Sequence, residues 1–90
     1  MKRMHVFISG RVQGVAFRHY TAKTARSLNL GGWVRNLDDG RVEAVFEGDD
    51  ASVDAMLAWF WKGTSLSRVT HVDTQEEPFS AQYEDFKIRY

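Results

Sequence analysis

The chain contains no cysteine, which removes a disulfide framework, a thiolate metal site and a cysteine nucleophile together. It has no charge excess either, because Lys plus Arg (12) equals Asp plus Glu (12). A general nucleic-acid binder carries a positive surplus that displaces counterions from phosphates, so no nucleic acid is expected as a partner. Long apolar runs are also missing. The basic start Met1-Lys2-Arg3-Met4 leads into an apolar run that stops at Ile8, too short for a signal-peptide core. Nothing approaches the roughly 20 apolar residues of a spanning helix. No membrane is expected as a partner, and the cytoplasm is the expected location.

What remains is an ordinary globular composition, 43% hydrophobic and 27% charged, in 90 residues. That length predicts one domain over residues 1–90. So short a chain needs nearly every periodic apolar position for its core.

His5 to Ser9 reads as a first strand, ended by Gly10. After a loop with Gly14, the positions Phe17, Thr21, Thr24 and Leu28 recur at helical spacing, flanked by Tyr20 and Ala25. They predict a helix from about Arg18 to Leu28, closed by Asn29 in a left-handed conformation. Trp33–Leu37 and Arg41–Phe46 read as two strands joined through Asp38-Asp39-Gly40, a tight-turn signal. Asp49 or Asp50 is expected to cap a second helix with the stripe Val53, Met56, Leu57 and Phe60, closed by Gly63. On that helix only Phe60 of Trp59-Phe60-Trp61 is central to the stripe; Trp61 lies near one edge and Trp59 far off it. Arg68–Gln75 predicts a fourth strand, broken by Glu76-Glu77-Pro78, and Phe86, Ile88 and Tyr90 alternate as a short terminal one. The order βαββαβ plus a short strand is the α+β split βαβ, or ferredoxin-like, sandwich, with two helices on one face of an antiparallel sheet.

Many functions share that architecture, so the chemistry must come from a site. A glycine-containing turn from a strand into a helix can hold phosphate. Its backbone N–H groups converge on an anion, and the helix end adds positive potential. Residues 11–17 occupy such a turn, with Arg18 at the helix start. Arginine suits a phosphoryl group because its planar fork donates two parallel hydrogen bonds. A P-loop is excluded, since neither Lys-Ser nor Lys-Thr follows Gly14. His5, His19 and His71 are scattered without metal-ligand spacing, so no metal and no cofactor are expected.

The run Gly10-Arg11-Val12-Gln13-Gly14-Val15-Ala16-Phe17-Arg18, then Gly32-Trp33-Val34-Arg35-Asn36, then Asp39-Gly40-Arg41-Val42-Glu43, resembles the acylphosphatase family over essentially the whole chain. Gly63-Thr64-Ser65 departs from the family's usual Gly-Pro-Pro, and Asn29 stands where glycine is usual. Both lie away from the motif. The resemblance implies hydrolysis of acyl phosphates to carboxylate and inorganic phosphate, without metal or covalent intermediate. Arg18 would bind the phosphoryl group with the backbone amides of Gln13, Gly14, Val15, Ala16, Phe17 and Arg18. Asn36 would orient the attacking water. Inorganic phosphate would then be both product and competitive inhibitor, and a monomer is expected. Strand parity agrees for Asn36, which shares a face with Val34; if Val34 packs under the helices, Asn36 lies further along beside the loop.

Plainer roles compete for the same residues. By position alone Arg18 is a solvated helix-start arginine, although a cation there opposes the helix dipole and so suits a bound anion. Asn36 could belong to the turn, and Phe17 and Trp33 to packing. Two other functions fit the element order. An RNA-binding sheet would need stacked aromatics and a basic face, whereas Val42–Glu47 carries one aromatic and two acids. A phosphate-sensing module without turnover would use the same loop.

Overall fold

A computed structural model describes residues 1–90. The elements are β1 (Lys2–Arg11), α1 (Phe17–Ser27), β2 (Gly31–Asn36), β3 (Val42–Gly48), α2 (Asp50–Lys62), β4 (Arg68–Glu77) and β5 (Phe86–Ile88). The sheet runs β4-β1-β3-β2-β5. Its first four strands pair antiparallel, as the sequence order requires. β5 differs from the expected antiparallel sheet: it lies parallel to β2, Gly32 opposite Phe86 and Val34 opposite Ile88. The connection from β4 crosses the end of the sheet and enters beside β2 in the same direction, so the sheet is mixed.

Alternation decides the faces. Met4, Val6 and Ile8 of β1, Val34 of β2, and Val42, Ala44 and Phe46 of β3 meet Phe17, Ala22, Ala25, Val53, Met56 and Phe60 of the helices in one core. On α1 the buried stripe is Phe17, Thr21, Ala22 and Ala25, turned from the expected one so that two alanines bring the helix close to the sheet. Thr24 and Leu28 are only half-buried. α1 ends as anticipated. Asn29 has φ 58°, and Leu30 N–H donates to Ala25 O while Asn29 N–H donates to Arg26 O, the two bonds of a Schellman motif.

α2 begins after Asp49, yet no side chain there caps it. Asp50 pairs instead with the Met1 amino group and Asp54 with Lys2. The two tryptophans of α2 exchange the expected roles. Trp59 is half-buried against Phe17, ring centroids 5.4 Å apart, because α1 covers that flank, whereas Trp61 is exposed. β4 continues through Glu77, two residues past the expected end, since Glu77 pairs with Arg3 and His5 of β1.

The sheet's outer face is polar and cross-linked. Glu43, 6% exposed, accepts from His5 Nε2 and Arg35 Nε, each at 2.6 Å. Burial alone would raise its carboxyl pKa, but the hydrogen bonds and charges of His5 and Arg35 outweigh that and hold it below the usual range. A depressed folded-state value gives stability that is full above the unfolded pKa, about 4.3, and is lost as pH falls through the folded one. Urea midpoints are therefore expected to drop on acidification through that window, and Glu43→Gln to drop less steeply. Parallel slopes in parent and variant would contradict this assignment.

Candidate active site

At one end of the sheet a cleft of about 230 Å³ is lined by Val12, Gly14, Ala16, Phe17, Arg18, His19, Asn36, Ile88 and Tyr90. Three chain segments build it: the β1–α1 loop, the end of β2, and β5 with the residues after it.

The loop is wound by two left-handed residues, Gly14 at φ 72° and Ala16 at φ 59°. Glycine accepts this freely, whereas for alanine the conformation costs about 1–2 kcal/mol. Strain of that kind persists only where the surroundings hold it, and here it sits at the cleft. Alternation of left- and right-handed residues makes a concave nest of N–H groups. No backbone N–H from Gly14 to His19 donates to another atom of the chain. The N-terminus of α1 has no side-chain cap and no acidic residue in its first turn. A strand end, a left-handed turn and a bare helix start thus expose adjacent donors toward one anion-sized space.

Gln13 contributes differently from its neighbours. Its side-chain Nε2 donates to Leu37 O at 2.8 Å and Arg41 O at 2.9 Å. These carbonyls close the β2–β3 hairpin, where Leu37 N–H also donates to Arg41 O at 2.8 Å. Gln13 therefore bolts the loop to the hairpin that follows Asn36. The sequence placed Gln13 at the loop but did not show that its amide is spent on this lock.

Arg18 leaves the first turn of α1 and reaches the cleft with its guanidinium already oriented. Nη1 donates to Arg89 O at 3.1 Å, and the guanidinium lies over the Tyr90 ring, 4.8 Å from its centroid. No carboxylate is paired with it, so its charge is uncompensated by the chain. Asn36 lies across the cleft on the same face as the fully buried Val34. Its Oδ1 is buried and accepts no hydrogen bond. A buried acceptor left unpaired normally costs stability, and this one belongs to a residue that lines the cleft.

The expected residues divide accordingly. Arg18, Asn36, Gly14, Ala16 and Phe17 line the cleft; the Phe17 ring is also core, stacked 6.2 Å from Phe60. Val15 is buried and offers only its backbone. The Arg89 carbonyl, Ile88 and Tyr90 were missed. Their alternation announced a strand, but nothing local told which edge of the sheet it joins. No three of His, Asp and Glu gather where they could hold a metal ion, and no helix is long and apolar enough to cross a membrane.

Comparison with known proteins places these features in context. The family model for Acylphosphatase matches residues 4–88. An acylphosphatase of Syntrophobacter fumaroxidans is 56% identical over 89 residues, 99% of this chain and 92% of that one. Among solved structures, the acylphosphatase from Bacillus subtilis superposes with a TM-score of 0.96 at 34% identity, covering 100% of both chains. That of Coxiella burnetii gives 0.93 at 40%, covering 98% of this chain and 92% of that chain.

Proposed function

Because the chain belongs to the acylphosphatase family, hydrolases that act on small acyl phosphates, we propose that the cleft between Arg18 and Asn36 is where this chain performs that hydrolysis. The observation that carries the assignment is one space faced by an unpaired arginine, a run of free backbone donors and an orphaned amide oxygen.

The phosphoryl group sits in the nest of N–H groups from Gly14 to Arg18, with the Arg18 fork on its oxygens. Asn36 Oδ1 accepts one hydrogen from a water and so turns an oxygen lone pair toward phosphorus, in line with the acyl oxygen. The P–O bond to the acyl group breaks as the bond from water forms, and carboxylate and inorganic phosphate leave. The departing carboxylate has a conjugate-acid pKa of about 4, so no general acid is required. The substrate's own phosphoryl oxygen takes the proton of the attacking water. What remains for the protein is positioning and charge stabilisation, the usual division of labour in phosphoryl transfer.

This reading makes residues 1–90 a single catalytic unit that works as a monomer in the cytoplasm, with inorganic phosphate as product and competitive inhibitor. The test is hydrolysis of a synthetic aroyl phosphate by the purified chain with a chelator present. Turnover unaffected by the chelator and competitively inhibited by phosphate is expected. A folded chain that binds phosphate without turnover would make it a phosphate-binding module instead.

A further inference from the structure

Arg18 is not the only arginine of α1 that reaches the last stretch of the chain. In the last turn of the helix, Arg26 donates both Nε, at 3.1 Å, and Nη2, at 2.9 Å, to the carbonyl of Phe86. The helix is thus tied at both ends to the last stretch of the chain by the same chemistry: Arg26 to Phe86 O in β5, and Arg18 to Arg89 O just beyond it.

The spacings match. Arg18 and Arg26 are separated by about 12 Å of helix at 1.5 Å per residue, and Phe86 and Arg89 by about 10 Å of extended chain at 3.3 Å per residue. The strand itself is weakly bound. It has three residues, pairs only with β2, and forms an edge of the sheet. Phe86 is buried and fixes its own carbonyl, so Arg26 grips the rigid end of the strand while Arg18 uses the residue just beyond it as its rest.

We infer that Arg26 is a positioning residue for the reaction: its forked bond to Phe86 O sets how α1 lies along β5, and so keeps the Arg89 carbonyl under Arg18. It touches no substrate. Its effect passes through the aim of Arg18, and the inference rests on Arg18 being the phosphate ligand. A long arginine side chain without its rest returns to many rotamers, and that entropy is then spent at each binding event.

The experiment uses the full chain with Arg26→Ala, Arg26→Lys and Arg18→Ala, measuring kcat, KM, the inhibition constant of inorganic phosphate and the urea midpoint. Assays are run where each variant is folded. Arg26→Ala is expected to weaken phosphate inhibition and lower kcat/KM by about tenfold, the scale of one hydrogen bond to a charged group. Arg26→Lys, which keeps a cation but cannot reproduce the two-pronged bond to the carbonyl, is expected to weaken phosphate inhibition severalfold, less than Arg26→Ala does. A purely structural arginine would lower the urea midpoint and leave the phosphate constant alone; that result in either folded variant overturns the inference. If Arg26→Ala does not fold, Arg26→Lys decides: phosphate inhibition equal to the parent's despite a lowered midpoint refutes positioning, and weakened inhibition supports it. Phosphate inhibition undiminished by Arg18→Ala would overturn the catalytic reading together with this one. A loss with Arg18→Ala but none with Arg26→Ala overturns this one alone.

Discussion

Arg18→Ala is expected to lower kcat/KM for an aroyl phosphate by at least about a hundredfold, the scale for removing one preorganised donor to a developing oxyanion, and to weaken inhibition by inorganic phosphate. Both effects have one origin. The guanidinium is held by Arg89 O and the Tyr90 ring before any substrate arrives, so it costs little reorganisation at the moment of reaction. On the proposed reading the fork would contact phosphoryl oxygens of both product phosphate and transition state, so affinity and rate are expected to fall together. Arg18→Lys is not expected to restore either. An ammonium group keeps the charge but lacks the planar fork that can hold a carbonyl and a phosphoryl oxygen at once. The fold should survive both changes, since Arg18 contributes nothing to the apolar core. A variant that kept parental kcat/KM would remove Arg18 from the site.

Asn36→Ala is expected to cost turnover on the same scale, at least about a hundredfold, while leaving phosphate inhibition near the parent's value. That split distinguishes a residue that handles water from one that handles phosphate. Its basis is the orphaned Oδ1: nothing in the chain donates to it, so alanine takes away no internal bond and relieves a buried acceptor. Asn36→Ala should accordingly be no less stable than the parent to urea, a rare pairing of a large catalytic loss with no loss of stability. A parallel rise in the phosphate inhibition constant would move Asn36 from the water to the phosphoryl group.

Much of this was legible in the residues. Alternation in Val6, Ile8, Val34 and Val42 and helical spacing in Val53, Met56 and Phe60 reflect a local period set by one buried face. The glycine and asparagine that close elements take conformations other side chains avoid. Arg18 and Asn36 were readable because their motif is contiguous at each end, although nothing in either segment alone says that the two meet. Features that depend on a neighbour in space were out of reach. Helical spacing set Trp61 nearer the stripe than Trp59, and only the presence of α1 buries Trp59 instead. The side chain of Gln13 spans to residues 37 and 41, and Arg26 to residue 86. β5 is too short for its pattern to name a partner, and its parallel seat beside β2 follows from how residues 78–85 cross the sheet end.

That seat has a consequence for how the molecule fails. Hydrogen-bonded segments open independently, and the least protected ones open at a small fraction of the global free energy. A three-residue edge strand with one ladder is such a segment, and the two residues that follow it carry the carbonyl and the ring against which Arg18 rests. The core strands β1 and β3 can remain fully paired while β5 lifts. Activity and foldedness are therefore separate thermometers of this chain. On warming or in mild denaturant, activity is expected to fall before the circular dichroism signal of the sheet does. A saturating anion in the cleft, if it holds Arg18 as proposed, is expected to narrow the gap between the two.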